Sequence, residues 1–344
     1  MSNFDFKAVS CSGSSPPKVA FHTCSLVQNK FYIFGGLDDK KSVQNRVYCY
    51  DPLCNEWKEI TRTDNDFAQK SHSKSRHFGG VQIHEAPKLS HHTANVINEC
   101  CIVFIGGWTG HKRSSDAYYY DTVDNTWFQI QVQGDIPAGL SSHTATQISD
   151  NELLVIGREG GIRTQRRSGD AFYFNVKTGA YKEAHLHVSS RSGHTANLVK
   201  THLGKSYVLF VQGGRKGDEY QLIGSWNKKP GQQPVLDNDK ITSFLSKWKA
   251  CEKPSGRQHC VSVELSDRFL LLFGGETWAG VRNNVTNEIY ILDCCKMKWY
   301  SPLEVGKGIP CLTGHTMGMV NDKVFVFGGL LDGKCTDNVW MVDL

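Results

Sequence analysis

One unit of sequence recurs six times along this 344-residue chain. A His heads an apolar segment, a Gly pair closes a second apolar segment 13 to 19 residues later, and an aromatic-rich third segment and an aromatic anchor follow. The first copy reads His22-Thr23, Gly35-Gly36, Tyr48-Cys49-Tyr50-Asp51 and Trp57; the second reads His92-Thr93, Gly106-Gly107, Tyr118-Tyr119-Tyr120-Asp121 and Trp127. The third has His143-Thr144, a single Gly157, Phe172-Tyr173-Phe174-Asn175 and Tyr181. The fifth has His259-Cys260, Gly274-Gly275, Tyr290-Ile291-Leu292-Asp293 and Trp299, and the sixth has His315-Thr316, Gly328-Gly329 and Val339-Trp340-Met341-Val342-Asp343. In four copies the Asp or Asn stands six residues before the anchor, an interval that sets the register of the unit. A period near 50 means that one supersecondary unit has been copied, and a unit too small to bury both its faces must stack on its neighbours.

The fourth copy is the weakest. It keeps His194-Thr195 and Gly213-Gly214, but its anchor, read as Trp248, comes 54 residues after its His, against 35 in the first two copies. Each unit carries four short strand signals, separated by turn residues such as Asn29-Lys30, Asp51-Pro52, Asp150-Asn151 and Thr178-Gly179.

On these residues the chain resembles the kelch-repeat family over nearly its whole length, and within it the small stand-alone kelch-domain-containing proteins. The resemblance implies an all-β, six-bladed kelch β-propeller forming a single domain, with repeats at about 20–60, 90–130, 141–184, 192–250, 257–302 and 313–344. The sixth copy stops at Asp343-Leu344 without an anchor, and an orphan apolar segment, Phe4-Asp5-Phe6-Lys7-Ala8-Val9, precedes the first. Residues 4–10 are therefore expected to complete the last blade and close the ring, which removes exposed sheet edges. Phe78-Gly79-Gly80 mimics the Gly pair without an apolar strand before it, so 61–90 is expected to be an inserted loop, as is 215–247.

Composition narrows the function. A net charge of +5 spread along the chain lacks the dense basic stripes of nucleic-acid binders. No run of 18 apolar residues marks a membrane span, and the first 20 residues show neither a signal nor a transit pattern, so a cytoplasmic or nuclear location is expected. Twelve cysteines without a Cys-x-x-Cys pair fit reduced thiols.

In a four-stranded antiparallel unit, the second-to-third loop and the connection to the next unit emerge on one face, and the two tight turns emerge on the other. The turns at Asn29-Lys30, Glu99-Cys100, Asp150-Asn151 and Asp322-Lys323 are minimal, which assigns recognition, and both insertions, to the long-loop face. Its candidate partner-binding residues are Trp108 and Arg113 in the second copy, Arg163, Arg166 and Arg167 in the third, Arg215 in the fourth, Trp278 and Arg282 in the fifth, and Arg191 and Arg257 in the connections. Arg forks match carboxylates, and Trp and Arg are common interface anchors, so the expected partner is another protein or peptide, acidic or with a free C-terminal carboxylate. The same arginines fit a solvated surface paired with Asp38, Asp39, Glu159, Asp218, Glu219 and Glu276, and a His repeated six times points to a structural role.

Kelch resemblance alone also admits enzymes, but no Glu-x-x-x-Asp-x-x-x-His run of the iron-dependent members is present, and His185-Leu186-His187 and His91-His92 lack partner motifs for a metal. The expectation is a monomeric, non-catalytic scaffold or adaptor with no cofactor and no metal. Kelch proteins that serve ubiquitin ligases imply an alternative, a substrate receptor reading an acidic or C-terminal carboxylate peptide. A BTB-type domain or adaptor-binding helical box is not seen here, and a kelch-type enzyme ranks last.

Overall fold

A computed structural model describes residues 5–60, 78–159, 168–200, 206–214, 220–227, 230, 236–279, 282–303 and 308–344. The repeats fold as antiparallel sheets laid down in chain order. The first contains Thr23–Val27, Lys30–Phe34, Val47–Asp51 and Glu56–Glu59, and the second Thr93–Ile97, Cys101–Trp108, Arg113–Asp121 and Thr126–Ile130. The third follows the same order, from Thr144–Ser149 to Ala180–Glu183. The fourth holds His194–Lys200, Tyr207–Gly213 and Gln221–Trp226, the fifth Val261–Glu264, Phe269–Phe273, Ile289–Asp293 and Lys298–Pro302, and the sixth Thr316–Val320, Lys323–Phe327 and Val339–Asp343.

The six-residue interval between Asp or Asn and the anchor has a local cause. Asp51 Oδ1 accepts the Leu53 N–H at 3.0 Å, Asp121 Oδ1 that of Val123 at 2.9 Å, Asn175 Oδ1 that of Lys177 at 3.0 Å and Asp293 Oδ1 that of Cys295 at 3.1 Å. Each carboxylate or amide thus folds the chain back on itself in an Asx turn. The residue four places after it sits at positive φ, Asn55 at 55°, Asn125 at 51°, Gly179 at 69° and Met297 at 50°, and re-aims the strand so that the anchor faces the neighbouring sheet. Tyr50 and Tyr120 donate their hydroxyls to Asn55 and Asn125 at 2.7 and 2.8 Å, which fixes both turns. The first hairpin turns are built from paired positive-φ residues, as at Gln28-Asn29, Asn98-Glu99 and Asn321-Asp322, whose twist matches that of the strands they join.

The core is divided into clusters, each shared by two successive sheets. Phe34, Val47 and Phe104 with Trp127 join the first sheet to the second, and Tyr119, Phe128 and Leu153 with Tyr181 join the second to the third. Another cluster packs Phe31, Tyr50 and Trp57 of the first sheet against Phe325 and Phe327 of the sixth. Burial of the anchors is nearly complete, with Trp57 at 2% exposure.

The amino-terminal segment bridges the ends of the chain. Lys7 and Ala8 pair antiparallel with Met341 and Trp340, and the Val9 N–H donates to the Val339 carbonyl at 2.9 Å. Phe6 is buried 4.9 Å from Phe273. A few residues on, Ser12 and Gly13 pair with Glu56 and Trp57 of the first sheet.

Four expectations change. Trp248 is not the anchor of the fourth repeat: Trp248–Cys251 pairs with Lys298–Pro302 on the outer edge of the fifth sheet, leaving the fourth with three strands among the described residues. An aromatic residue at roughly the right spacing can fill either of two adjacent seams, and the neighbouring apolar turn of helix decides which. The second insertion does not lie wholly on the long-loop face. Its helix Asn238–Phe244, capped by Asp237, buries Ile241 with Leu236 and Leu245 against the fifth and sixth sheets. Bonds from Ser266 to Asn238 and from Lys240 to Asp322 fasten that helix to the tight turns of the opposite face. The end of the first insertion is also structured, since Phe78 packs 5.3 Å from Tyr119 and Val81–Ile83 pairs with the Thr126–Ile130 strand; 61–77 lies outside the described residues. Finally, the fifth copy is shifted by one. Val261 opposite Phe273 matches Thr316 opposite Phe327, so Cys260, and not His259, occupies the position of the repeated His.

Candidate functional site

The residue preceding each repeated His position lines the inner end of the sheets on the long-loop face. These six residues, Phe21, His91, Ser142, Gly193, His259 and Gly314, all have positive φ, between 53° and 65°. Each donates its N–H to the carbonyl of the equivalent residue one repeat back: His91 to Phe21 at 3.0 Å, Ser142 to His91 at 3.0 Å, Gly193 to Ser142 at 2.7 Å, His259 to Gly193 at 2.8 Å, Gly314 to His259 at 3.2 Å and Phe21 to Gly314 at 2.7 Å. The left-handed backbone turns both peptide groups of each residue along the circuit, a conformation that costs non-glycine residues energy and persists only where surrounding contacts hold it.

Three of the six carry rings, and these gather over the centre. Phe21 stacks on His91 at 4.1 Å and meets His259 edge-on at 5.0 Å, with the two imidazoles 5.9 Å apart. Small residues make room for them: a Cβ on Gly314 would lie 2.7 Å from the Phe21 ring, and one on Gly193 would lie 3.0 Å from that of His259. Beside the rings lies a cavity of about 140 Å³ lined by these residues and the repeated histidines. Burial lowers the His91 pKa to about 3, with His259 and Arg113 adding to the effect, and burial also lowers that of His259 against the pull of Glu159 and Glu276.

The repeated histidines themselves are scaffold. His92 Nε2 is 3.0 Å from Thr23 Oγ1, His143 Nε2 3.3 Å from Thr93, His194 Nε2 2.9 Å from Thr144 and His22 Nε2 2.8 Å from Thr316, so each His–Thr pair ties one sheet to the one before. A Cβ on Gly35 would come within 2.9 Å of His92 Cε1, and on Gly328 within 2.8 Å of His22 Cε1, so the first glycine of each pair leaves the imidazole its place. The relay is interrupted where Val261 replaces the Thr, and there both ring nitrogens of His315 lack a hydrogen-bond partner among the described residues.

The candidate residues sort into three groups. Trp108 and Arg113 lie together on the long-loop face, half-buried: the Arg113 guanidinium sits 5.9 Å from the centre of the Trp108 ring and 3.4 Å from the Glu159 carboxylate of the next repeat. Backbone bonds in both directions with Ser90 hold Trp108 to the connection that leads to His91. Arg191 and Arg257 depart from the expectation of exposed contact residues, since each is 1% exposed. Both reach inward to the carbonyl of the first glycine of the next pair, Gly213 and Gly274, at 3.3 Å. Arg257 also pairs with Glu288 at 2.6 Å, and Arg191 donates to Gln221 Oε1 at 3.0 Å. A guanidinium is used here to satisfy carbonyls that the sheet ladders leave open, and sequence cannot tell that use from an exposed one. Arg163, Arg166, Arg167 and Arg215 lie outside the described residues, as do the side chains of Trp278 and Arg282.

Sequence reasoning missed Phe21, His91 and His259. Across the six repeats their position is occupied by four residue types, Phe, His, Ser and Gly, and without one residue type kept throughout it leaves no signal in one sequence. Among the described residues, no group of three His, Cys, Asp or Glu side chains is placed to hold a metal ion, and none of the twelve cysteines is joined in a disulfide. None of the helices among the described residues is long and apolar enough to cross a membrane.

Comparison with known proteins matches this architecture. Residues 1–222 fit the Attractin/LZTR1 beta-propeller family and residues 209–344 the KLHDC2/KLHL20/DRC7 Kelch-repeats domain, and the chain belongs to the kelch-repeat β-propeller family. It is 31% identical over 329 residues to Kelch domain-containing protein 9 of Mus musculus, spanning 90% of this chain and 87% of that protein. The Homo sapiens Kelch domain-containing protein 9 is likewise 31% identical, over 328 residues with the same coverage. Host cell factor of Drosophila melanogaster is 23% identical over 287 residues, which are 75% of this chain and 18% of that protein.

Proposed function

We propose that this chain is a six-bladed propeller, closed by residues 4–10 on the last blade, that binds another protein or peptide through its long-loop face without catalysis. The closure reading is supported by the pairing of Lys7 and Ala8 with the carboxy-terminal strand and by the hydrogen-bond circuit from Phe21 to Gly314. The binding reading is carried by the contrast between the faces. On the tight-turn side, the helix Asn238–Phe244 packs over the fifth and sixth sheets, whereas the long-loop side presents the cavity at the centre with Trp108 and Arg113 beside it.

The partner is an acidic segment or one ending in a free carboxylate. The reading draws on the basic sequence of the third repeat, Arg163, Arg166 and Arg167, and on Arg113, which pairs with Glu159 of that repeat. A good charge-assisted contact contributes about 1.5–3 kcal/mol. The test compares proteins retained by the intact chain and by the triple variant Arg163→Ala, Arg166→Ala, Arg167→Ala, with a matched panel of peptides ending in a carboxylate or an amide. Loss of partners in the variant with an unchanged melting temperature, and preference for the carboxylate panel, are the expected results. Equal retention by both proteins removes the basic loop from the site, and a sharp fall in melting temperature returns these arginines to the scaffold.

A further inference from the structure

The outer edges of the sheets are not treated alike. Five end in segments of two to four residues: Ser12–Gly13, Val81–Ile83, Gln133–Gly134, Trp248–Cys251 and Lys7–Ala8. The three-stranded fourth sheet ends on Gln221–Trp226, six residues long, and among the described residues no strand pairs with its outer side. Natural proteins guard such edges by shortness, charge, proline or a β-bulge. The segment Gln221-Leu222-Ile223-Gly224-Ser225-Trp226 has only the last of these, and keeps its outer backbone unpaired among the described residues. Its only irregularity is a register shift near Gly224, whose φ is 62° and over which the Trp226 ring lies.

Side chains on this edge divide by face. Ile223 is 6% exposed and belongs to the cluster between the third and fourth sheets, whereas Leu222 is 47% and Tyr220 40% exposed. The strand is held firmly at its start, because the Gln221 side chain accepts from the Ser189 N–H at 2.9 Å and from buried Arg191 at 3.0 Å.

We propose that this edge is a docking site for an extended segment of a partner protein, which adds to the fourth sheet as its fourth strand. A row of backbone donors and acceptors at strand spacing is complementary to another extended backbone, and alternate side chains then supply selectivity. With no charge on the strand, the segment is selected for apolar or aromatic residues that lie beside Leu222 and Tyr220. A second copy of this chain is disfavoured by area: two rigid sheets meeting along six residues cover far less than the roughly 1,200 Å² of a stable complex, while a flexible segment can follow the bulge at Gly224. The site stands on the rim and is independent of the long-loop reading.

The test is selection of a displayed library of linear twelve-residue peptides on the intact protein, followed by affinity and amide exchange measurements. Enriched peptides are expected to alternate apolar and polar residues, to slow exchange at 221–226, and to bind about tenfold more weakly to Leu222→Lys, whose exposed site leaves the melting temperature unchanged. Ser225→Pro is a second variant that removes a backbone donor directly, and Arg163→Ala with its two neighbours is expected to leave this binding intact. The proposal is overturned if the amides of 221–226 that point away from the Tyr207–Gly213 strand are already protected in the free protein, if enriched peptides bind both edge variants undiminished, or if the chain instead dimerises with the same dependence on Leu222.

Discussion

Acidification bears on five buried histidines at once, His22, His92, His143, His194 and His315, each 3–6% exposed. Burial lowers their pKa from 6.5 to about 4 for His22 and about 3 for the other four. Their folded values lie below the unfolded one, so the unfolded chain binds protons first. Stability is whole above pH 6.5 and is lost progressively as the pH falls towards the folded values. At pH 5 each histidine has cost about 2 kcal/mol, at 1.36 kcal/mol per unit, and five together about 10 kcal/mol. That equals the entire stability of an ordinary domain, roughly 5–15 kcal/mol. Asp51, whose pKa the Lys30 bond lowers from 3.8, adds its effect only below about pH 4, so the window from 6.5 to 5 isolates the histidines. Urea unfolding followed by tryptophan fluorescence at half-unit steps of pH is the assay. The expected result is a steep fall in stability over this window, its slope corresponding to uptake of about five protons by these histidines and up to two more by His91 and His259, whose pKa burial also lowers. A stability that stays flat from pH 7 to 5 would refute the neutral buried ring, and a fall that begins only below pH 4 would assign acid unfolding to carboxylates.

Other perturbations test separate parts of the fold. Deleting residues 1–10 removes the Lys7–Ala8 pairing and buried Phe6, and a marked drop in the unfolding midpoint is expected; an unchanged transition would refute ring closure. Trp57→Ala opens a cavity at a side chain 2% exposed and should cost about 3–5 kcal/mol in denaturant titration. Gly35→Ala places a Cβ 2.3 Å from the Leu89 carbonyl oxygen at φ 71°, so the melting temperature should fall even though one methyl is the whole change. Arg257→Ala should destabilise by about 1–3 kcal/mol in the same titration, since it leaves the Gly274 carbonyl without its donor while Glu288 stays half-exposed, whereas Arg113→Ala should weaken partner binding at an unchanged melting temperature.

The repeat, the strands and their turns were legible because they rest on local chemistry. An Asp or Asn that folds its own backbone, a residue tolerant of positive φ four places later and an aromatic anchor at six form a pattern within seven residues, and it recurs wherever the same turn is needed. The repeated His was legible as structure for the same reason, since a residue kept in nearly every copy serves contacts made in every copy. What sequence could not decide was the identity of the neighbour. Trp248 reads as the end of one repeat and packs as the edge of the next, His259 reads as the repeated His and lies one place before it, and Arg191 and Arg257 read as surface arginines while capping buried carbonyls. In each case the side chain is chemically competent for both roles, and strand register and sheet packing, which act between residues distant in the chain, select one. The gathering of Phe21, His91 and His259 over the cavity is tertiary in the same sense: equivalent positions of repeats distant in the chain become neighbours only when the inner ends of their separate sheets pack together.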